Sequence, residues 1–339
     1  MKITGIIAEY NPFHQGHIYH IRKTREITRC DCLVVIVTGY FSQRGLPSLL
    51  PKKEKNRLAL EFGANLVLEC PVCFGSQSAD YFARYNIQSL SCIPIDTLCF
   101  GSETNNISTL EEKLKEMEST TVDPRLSFNQ NLERKTGPND LLAMYYIKYC
   151  RQFGIQPVSI QRNPIYQSAT QTRTDFFNGK DVPYKSLFFI EQNFNSYYPY
   201  LSLTLQLSSP AELAQYHLVN EGIEYRLQAA SQKAKNWDEF LSLTITKNYS
   251  RSRIQRTCLM ILLKIKKSEM IDRDFFQLKV LGLDSIGKEC LKHIHKDRLI
   301  MRFNQMDPFL QNIELKTNIL YNSVLKSPIQ EGPVILYDR

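Results

Sequence analysis

Five short apolar runs in the first half of the chain, Ile3–Glu9, Cys32–Thr38, Ala64–Glu69, Thr97–Gly101 and Pro157–Gln161, are separated by stretches of helical periodicity. Strand-length runs rich in Val, Ile and Leu without polar alternation belong to strands buried on both faces. The intervening segments predict helices over His17–Arg29, Lys52–Phe62, Ser78–Ile87 and Asp140–Phe153. Strand–helix–strand repetition at this spacing predicts an α/β fold with a parallel sheet, and such sheets bind ligands beyond the carboxyl ends of their strands.

Near Phe176 the pattern changes. Ser209-Pro210-Ala211-Glu212 reads as a helix start, and further helices are predicted over Asn236–Leu243 and from Ser250 through Lys264. Leu201, Leu203, Leu205 and Leu207 alternate as a strand would, within this mostly helical context. A chain of 339 residues suits two domains, which the change of pattern places at 1–185 and 186–339.

The net charge is +8, and the segment from Thr246 to Arg302 holds 14 Lys and Arg against 6 Asp and Glu. One segment therefore carries an excess equal to the whole. It suits an anionic partner, and equally a solvated helical face. Nine scattered cysteines fit free thiols in a reducing compartment. No apolar run approaches membrane-spanning length and the N-terminus lacks a signal peptide's apolar core, so the expectation is a cytoplasmic protein with no membrane partner. Nothing in the sequence points to a protein partner.

Three of the six histidines, His14, His17 and His20, fall in or just after Asn11-Pro12-Phe13-His14-Gln15-Gly16-His17. Asn11-Pro12 ends the first strand, and a helix starts near Gly16. Free amides at a helix start suit phosphate, and Gly16 permits close backbone approach. Two imidazoles there can donate hydrogen bonds to phosphate oxygens as charge builds during attack at phosphorus. A metal pair is the competing reading, but no cysteine is near and the closest carboxylate, Glu9, ends the strand.

Other segments bear on the same site. Gly101, Ser102 and Glu103 close a strand, where a glycine lets a base or ribose lie on backbone; a plain tight turn explains them equally well. Ser168 can cap a helix in which Arg173, one turn on, can reach anionic oxygen. Cys70 and Cys73 have CxxC spacing without a second pair and read as buried thiols. His293 and His295 read as solvated surface.

The loop HQGH and the helix start Ser168-x-Thr-x-x-Arg173 resemble the nucleotidyltransferase superfamily with the HIGH signature. In order, GIIAEYNPFHQGH, VTGYFSQRGLPS, GANLVLECPV, SQSADYFA, DTLCFGSE, GPNDLL, SATQTR, NEGIEYRLQAA, KNYSRSRIQR and VLGLDSIG resemble the bacterial tRNA(Met) cytidine acetate ligase family over nearly the whole chain. The resemblance implies a Rossmann-like parallel-sheet nucleotidyltransferase domain followed by a mostly helical, basic, tRNA-binding domain. It implies a ligase that activates acetate with ATP as acetyl-adenylate and acetylates N4 of the wobble cytidine of elongator tRNA(Met). Mg²⁺ would arrive on the ATP phosphates. The implied nucleotide contacts are Ile7, Ala8, Glu9, Tyr10, Asn11, Pro12, Phe13, His14, Gln15, Gly16, His17, Ile18, Tyr19 and His20, with Gly101, Asn139 and Arg162. His14 and His17 are the expected catalytic pair, and Ser168 and Arg173 the expected binders of the departing phosphates. Lys247, Arg251, Arg253 and Arg256 are the expected RNA contacts, with Arg253 and Arg256 on one helical face. Departures from the family are Gln15 and Tyr40, each where Asn is usual, Asp140 where a second Asn is common, and a short stretch from Asn163 to Gln167. An adenylyltransferase for a small phosphorylated metabolite and a non-catalytic nucleotide- or RNA-binding protein are the alternative readings.

Overall fold

A computed structural model describes residues 1–119, 137–292 and 294–338; the His293 reading lies outside them. The five expected strands form β1 (Ile3–Ala8), β2 (Cys32–Thr38), β3 (Leu66–Cys70), β4 (Thr97–Ser102) and β5 (Gln156–Gln161). They are parallel, in the order β5-β4-β1-β2-β3. Every residue of β2 and β3 is buried, as their unbroken apolar composition requires, whereas β5 is half-exposed at the sheet edge. The order runs outward from β1 through β2 and β3, then reverses to β4 and β5. The reversal lies between β1 and β4, so the crevice beyond their carboxyl ends is where this class of sheet takes a ligand.

Helix α1 (Gln15–Thr28) follows β1, and α2 (Lys52–Phe62) packs against the sheet between β2 and β3. Helical segments dominate from Phe194 to Met270, and side chains from Phe194 to Ile261 build an apolar cluster of their own. The alternating leucines lie in one helix, Phe194–Leu207, not a strand. Leu201 and Leu205 are buried and Leu203 and Leu207 exposed, so the helical period i, i+4 overrides a pattern that reads equally as period two.

The chain then returns to the sheet. A strand from Leu278 to Leu283 (β6) pairs antiparallel with β3, and Leu299–Ile300 (β7) and Ile335–Leu336 (β8) pair with β6. At this seam a buried charge cluster joins both halves. Lys52 Nζ meets Glu69 at 3.3 Å, Glu314 at 2.5 Å and also Glu331; Lys279 Nζ meets Glu69 at 2.8 Å and Glu314 at 2.6 Å. Tyr40 stacks on Tyr321 with centroids 4.1 Å apart, and the Lys52 ammonium lies 4.6 Å from the Tyr40 centroid. The Tyr40 ring is therefore part of this seam, lining a cavity of about 810 Å³ with Lys52, Lys279, Glu314 and Glu331.

Candidate active site

The turn after β1 is fixed from three sides. Asn11 Oδ1 accepts from the Leu49 amide (3.0 Å) and Arg173 Nη1 (3.0 Å), and its amide donates to the Pro47 carbonyl (3.2 Å). Tyr10 and Phe13 are buried, and the Tyr10 ring meets the His17 ring edge-on at 4.7 Å. Ile7, Ala8, Pro12 and Ile18 are packed as supports, whereas Gln15 is exposed and Gly16, His17, Tyr19 and His20 are partly so.

His14 is the N-cap of α1. Its Nδ1 accepts from the Gly16 amide at 3.0 Å, and His17 Nδ1 accepts from the His14 amide at 3.2 Å, a reciprocal capping box made by two imidazoles. The rings lie against each other at a tilt of 35°, centroids 3.8 Å apart. A nitrogen that accepts from a backbone amide carries no proton, so each neutral ring holds its hydrogen on Nε2. The fold thus supplies two Nε2–H donors at the start of a helix, beside the crevice.

Burial keeps these rings neutral. It pushes His14 down to about 4, helped by the Arg162 charge, and drives His17 well below the usual histidine range. His20 is also pushed down to about 4 by burial, against a backbone hydrogen bond that raises it. In the unfolded chain each would take a proton near pH 6.5. The native state binds fewer protons between that pH and about 4, so stability is lost as pH falls through this window. His217, pushed to about 4 by burial, adds to the effect; Glu9 and Glu331, whose carboxyls are raised chiefly by burial, oppose it and are outnumbered. The thermal midpoint is therefore expected to fall between about pH 7 and about pH 5; a midpoint that rose on acidification would contradict this.

Gly16 is needed for a reason beyond ligand approach. A Cβ there would lie 2.7 Å from His14 Cε1 and 2.9 Å from Nδ1. Helix propensity alone favours Gly16→Ala by about 1 kcal/mol. The substitution nevertheless displaces the capping imidazole, so a reaction that depends on the placement of His14 should slow at least about 10-fold, with the thermal midpoint nearly unchanged. Unimpaired turnover would show that His14 need not hold its capped position.

On the other wall, Glu103 organises the residues singled out by sequence. Its carboxylate accepts from Asn139 Nδ2 (2.5 Å), the Asp140 amide (2.8 Å) and Arg162 Nη1 (3.4 Å). Asp140 in turn accepts from the Glu103 and Thr104 amides, and these bonds help hold its carboxyl below the usual range despite burial. The Arg162 stem crosses Gly101, where a Cβ would sit 3.4 Å from Cγ. Gly101, Asn139 and Arg162 are thus brought together, and the Arg162 charge acts on His14.

Ser168 and Arg173 are engaged internally. Ser168 Oγ caps its own helix from the Gln171 amide (3.1 Å). Arg173 donates to Asn11 Oδ1, to the Pro47 carbonyl (3.0 Å) and to the Gln192 carbonyl (2.7 Å), and burial pushes it down to about 10. It pins the turn rather than offering these donors to a ligand. The basic helix Arg251–Leu262 differs likewise from the expected face: Arg256 is buried, while Arg253 lies 3.8 Å over the Tyr249 ring and pairs with Glu221. Lys247 and Arg251 are exposed.

Lys55 went unread in the sequence. Fully buried, it donates to the Thr38 and Gly39 carbonyls at 3.0 and 2.9 Å, and burial pushes it down to about 7 against the pull of Glu9 and Glu69. The available signal was Lys52, Lys55, Asn56 and Ala59 on one helical stripe.

The family model described as HIGH Nucleotidyl Transferase matches residues 1–332. The chain is 32% identical to the tRNA(Met) cytidine acetate ligase of Listeria monocytogenes serovar 1/2a, over 96% of each chain. It is 30% identical to that of Anoxybacillus flavithermus, over 97% of this chain and 96% of the relative. Among solved structures, Thermotoga maritima TmcAL bound with alpha-thio ATP has the same fold, with a TM-score of 0.86 over 99% of both chains at 22% identity. No helix among the described residues is long and apolar enough to cross a membrane. The chain belongs to the HIGH nucleotidyl transferases and, within them, to the tRNA(Met) cytidine acetate ligase family.

Proposed function

We propose that this protein activates acetate with ATP and transfers the acetyl group to N4 of the wobble cytidine of elongator tRNA(Met), in the cytoplasm. The observation that carries the reading is the close pair His14 and His17, neutral and with both Nδ1 atoms occupied, at the start of α1 beside the sheet's reversal point. An acetate oxygen attacks the α-phosphorus, the bond to the bridging oxygen breaks, and pyrophosphate leaves. Both Nε2–H groups stabilise charge on the α-phosphate as it develops. Acetate is already an anion, so this step needs no general base. The cytidine N4 then attacks the acetyl carbonyl, AMP leaves, and N4 loses a proton.

Asn139 and Arg162, held by Glu103, take the nucleotide from the wall opposite the His14–His20 loop, with Gly101 against adenosine. Arg173 acts by fixing the turn that carries His14. Mg²⁺ would enter on the ATP phosphates. The relatives' names support acetate and tRNA(Met) as substrates. Exchange of labelled pyrophosphate into ATP tests the first step: it should require acetate, and exchange driven instead by a phosphorylated metabolite would favour simple adenylyl transfer.

A further inference from the structure

The hairpin between β2 and α2 touches both the nucleotide loop and the helical segment. Phe41 and Pro47 pair across it, the Gly45 amide donates to the Ser42 carbonyl at 2.8 Å, and the Leu46 amide donates to Ser42 Oγ at 3.2 Å. The Gln43 amide donates to the part-buried Glu9 carboxylate, tying the tip to the end of β1. On its other side Gly45 rests on the helix Arg251–Leu262. A Cβ there would lie 3.0 Å from the Arg256 amide nitrogen and 3.1 Å from the Gln255 carbonyl carbon, at a φ of +77° that itself favours glycine.

Arg44 sits at this tip. It is exposed, and among the described residues its side chain has no hydrogen bond or ion pair; its charge acts on Glu9 and helps lower that carboxyl against burial. Arg251 is also exposed and without such a partner among the described residues. It lies four residues before Gln255, about 6 Å along the helix. Arg44 adjoins Gly45 in the chain and Arg251 lies on the same helical face as Gln255, so both stand beside the one contact between hairpin and helix.

We propose that Arg44 and Arg251 form the phosphate-binding track that positions the acceptor RNA beside the nucleotide loop, with Arg44 the contact nearer the reaction. The proposal rests on the tRNA ligase reading and relocates its RNA surface: Arg256 is an internal strut, and Arg253 is committed to Tyr249 and Glu221. Contacts to phosphate position a strand without reading its bases. The hairpin is braced on both sides, so Arg44 meets the RNA at a fixed distance from Glu9 and the turn after it.

The test is binding of an unmodified tRNA(Met) transcript by fluorescence anisotropy across a salt titration, with acetate-dependent pyrophosphate exchange measured in parallel. Arg44→Glu should weaken binding about 10-fold or more and reduce the logarithmic salt slope by about 0.7–0.9. Arg251→Glu should act in the same direction and Arg44→Lys should restore most of the affinity. Unchanged affinity and slope in the Arg44→Glu, Arg251→Glu double variant would overturn the proposal. So would an affinity loss matched by an equal loss of exchange, which would place Arg44 in nucleotide binding. If the wild-type protein neither exchanges nor acetylates yet Arg44→Glu still loses RNA affinity, the ligase reading fails while the RNA track stands.

Discussion

His17→Ala should lower acetate-dependent pyrophosphate exchange by about 10²–10³-fold, the usual cost of one preorganised donor at a developing oxyanion. The donor geometry makes the effect large. The imidazole is held by the His14 amide on one nitrogen and by the Tyr10 edge and the His14 ring on its faces, so its Nε2–H is oriented before substrate arrives. Its pKa is depressed chiefly by burial, then by His14, His20 and Arg162, so at neutral pH the proposed role is that of a neutral donor rather than a proton shuttle. Two consequences separate this role from general base catalysis. Turnover should stay nearly flat through the pH range where an ordinary histidine titrates, and the Michaelis constant for acetate should change far less than kcat. The substitution also removes one capping bond, worth about 1 kcal/mol. That loss cannot account for a hundredfold drop in rate if the protein remains folded by circular dichroism. Retained exchange would remove His17 from the chemistry.

Lys52→Met should be the most damaging change to stability. In wild type, two ammonium groups, Lys52 and Lys279, face Glu69, Glu314 and Glu331 with almost no solvent around the first four. Methionine keeps the volume but leaves three carboxylates around one lysine. Breaking a buried pair by removing one partner costs about 3–5 kcal/mol, because the desolvated charge that remains has no compensation. Set against a total stability of about 5–15 kcal/mol, that should lower the thermal midpoint by on the order of 10 °C. Adding Glu331→Gln to Lys52→Met should recover part of the loss, since the two share one cluster. A single variant melting within about 2 °C of wild type would mean that the cluster relaxes or takes up water instead.

How much of this could be read from residues alone depends on whether the cause is local. The five parallel strands were legible because a strand buried on both faces must be continuously apolar, and their observed bounds differ by at most two residues at either end. The His14–His17 pair was legible because its capping chemistry is confined to four consecutive residues. Glu103 was visible at a strand end, but its bonds to Asn139 and Arg162 span 36 and 59 residues and no periodicity encodes them. The antiparallel β6 was missed for the same reason: its partner β3 lies more than 200 residues away, and its alternatives are only resolved by packing. Arg256 shows the limit of charge counting. A helix entry rich in arginine looks solvated, yet the hairpin carrying Gly45 packs on it and Arg256 is buried, while Arg44, Lys247 and Arg251 stay exposed.

The imidazole clamp, on this reading, serves acetyl transfer to an RNA base. The most direct measurement is mass spectrometry of nucleosides from a tRNA(Met) transcript incubated with the protein, ATP, Mg²⁺ and isotope-labelled acetate. Labelled N4-acetylcytidine should appear at the wobble position, dependent on ATP and absent with His17→Ala. Labelled acetate failing to reach the cytidine, in a preparation that binds both ATP and the transcript, would contradict it.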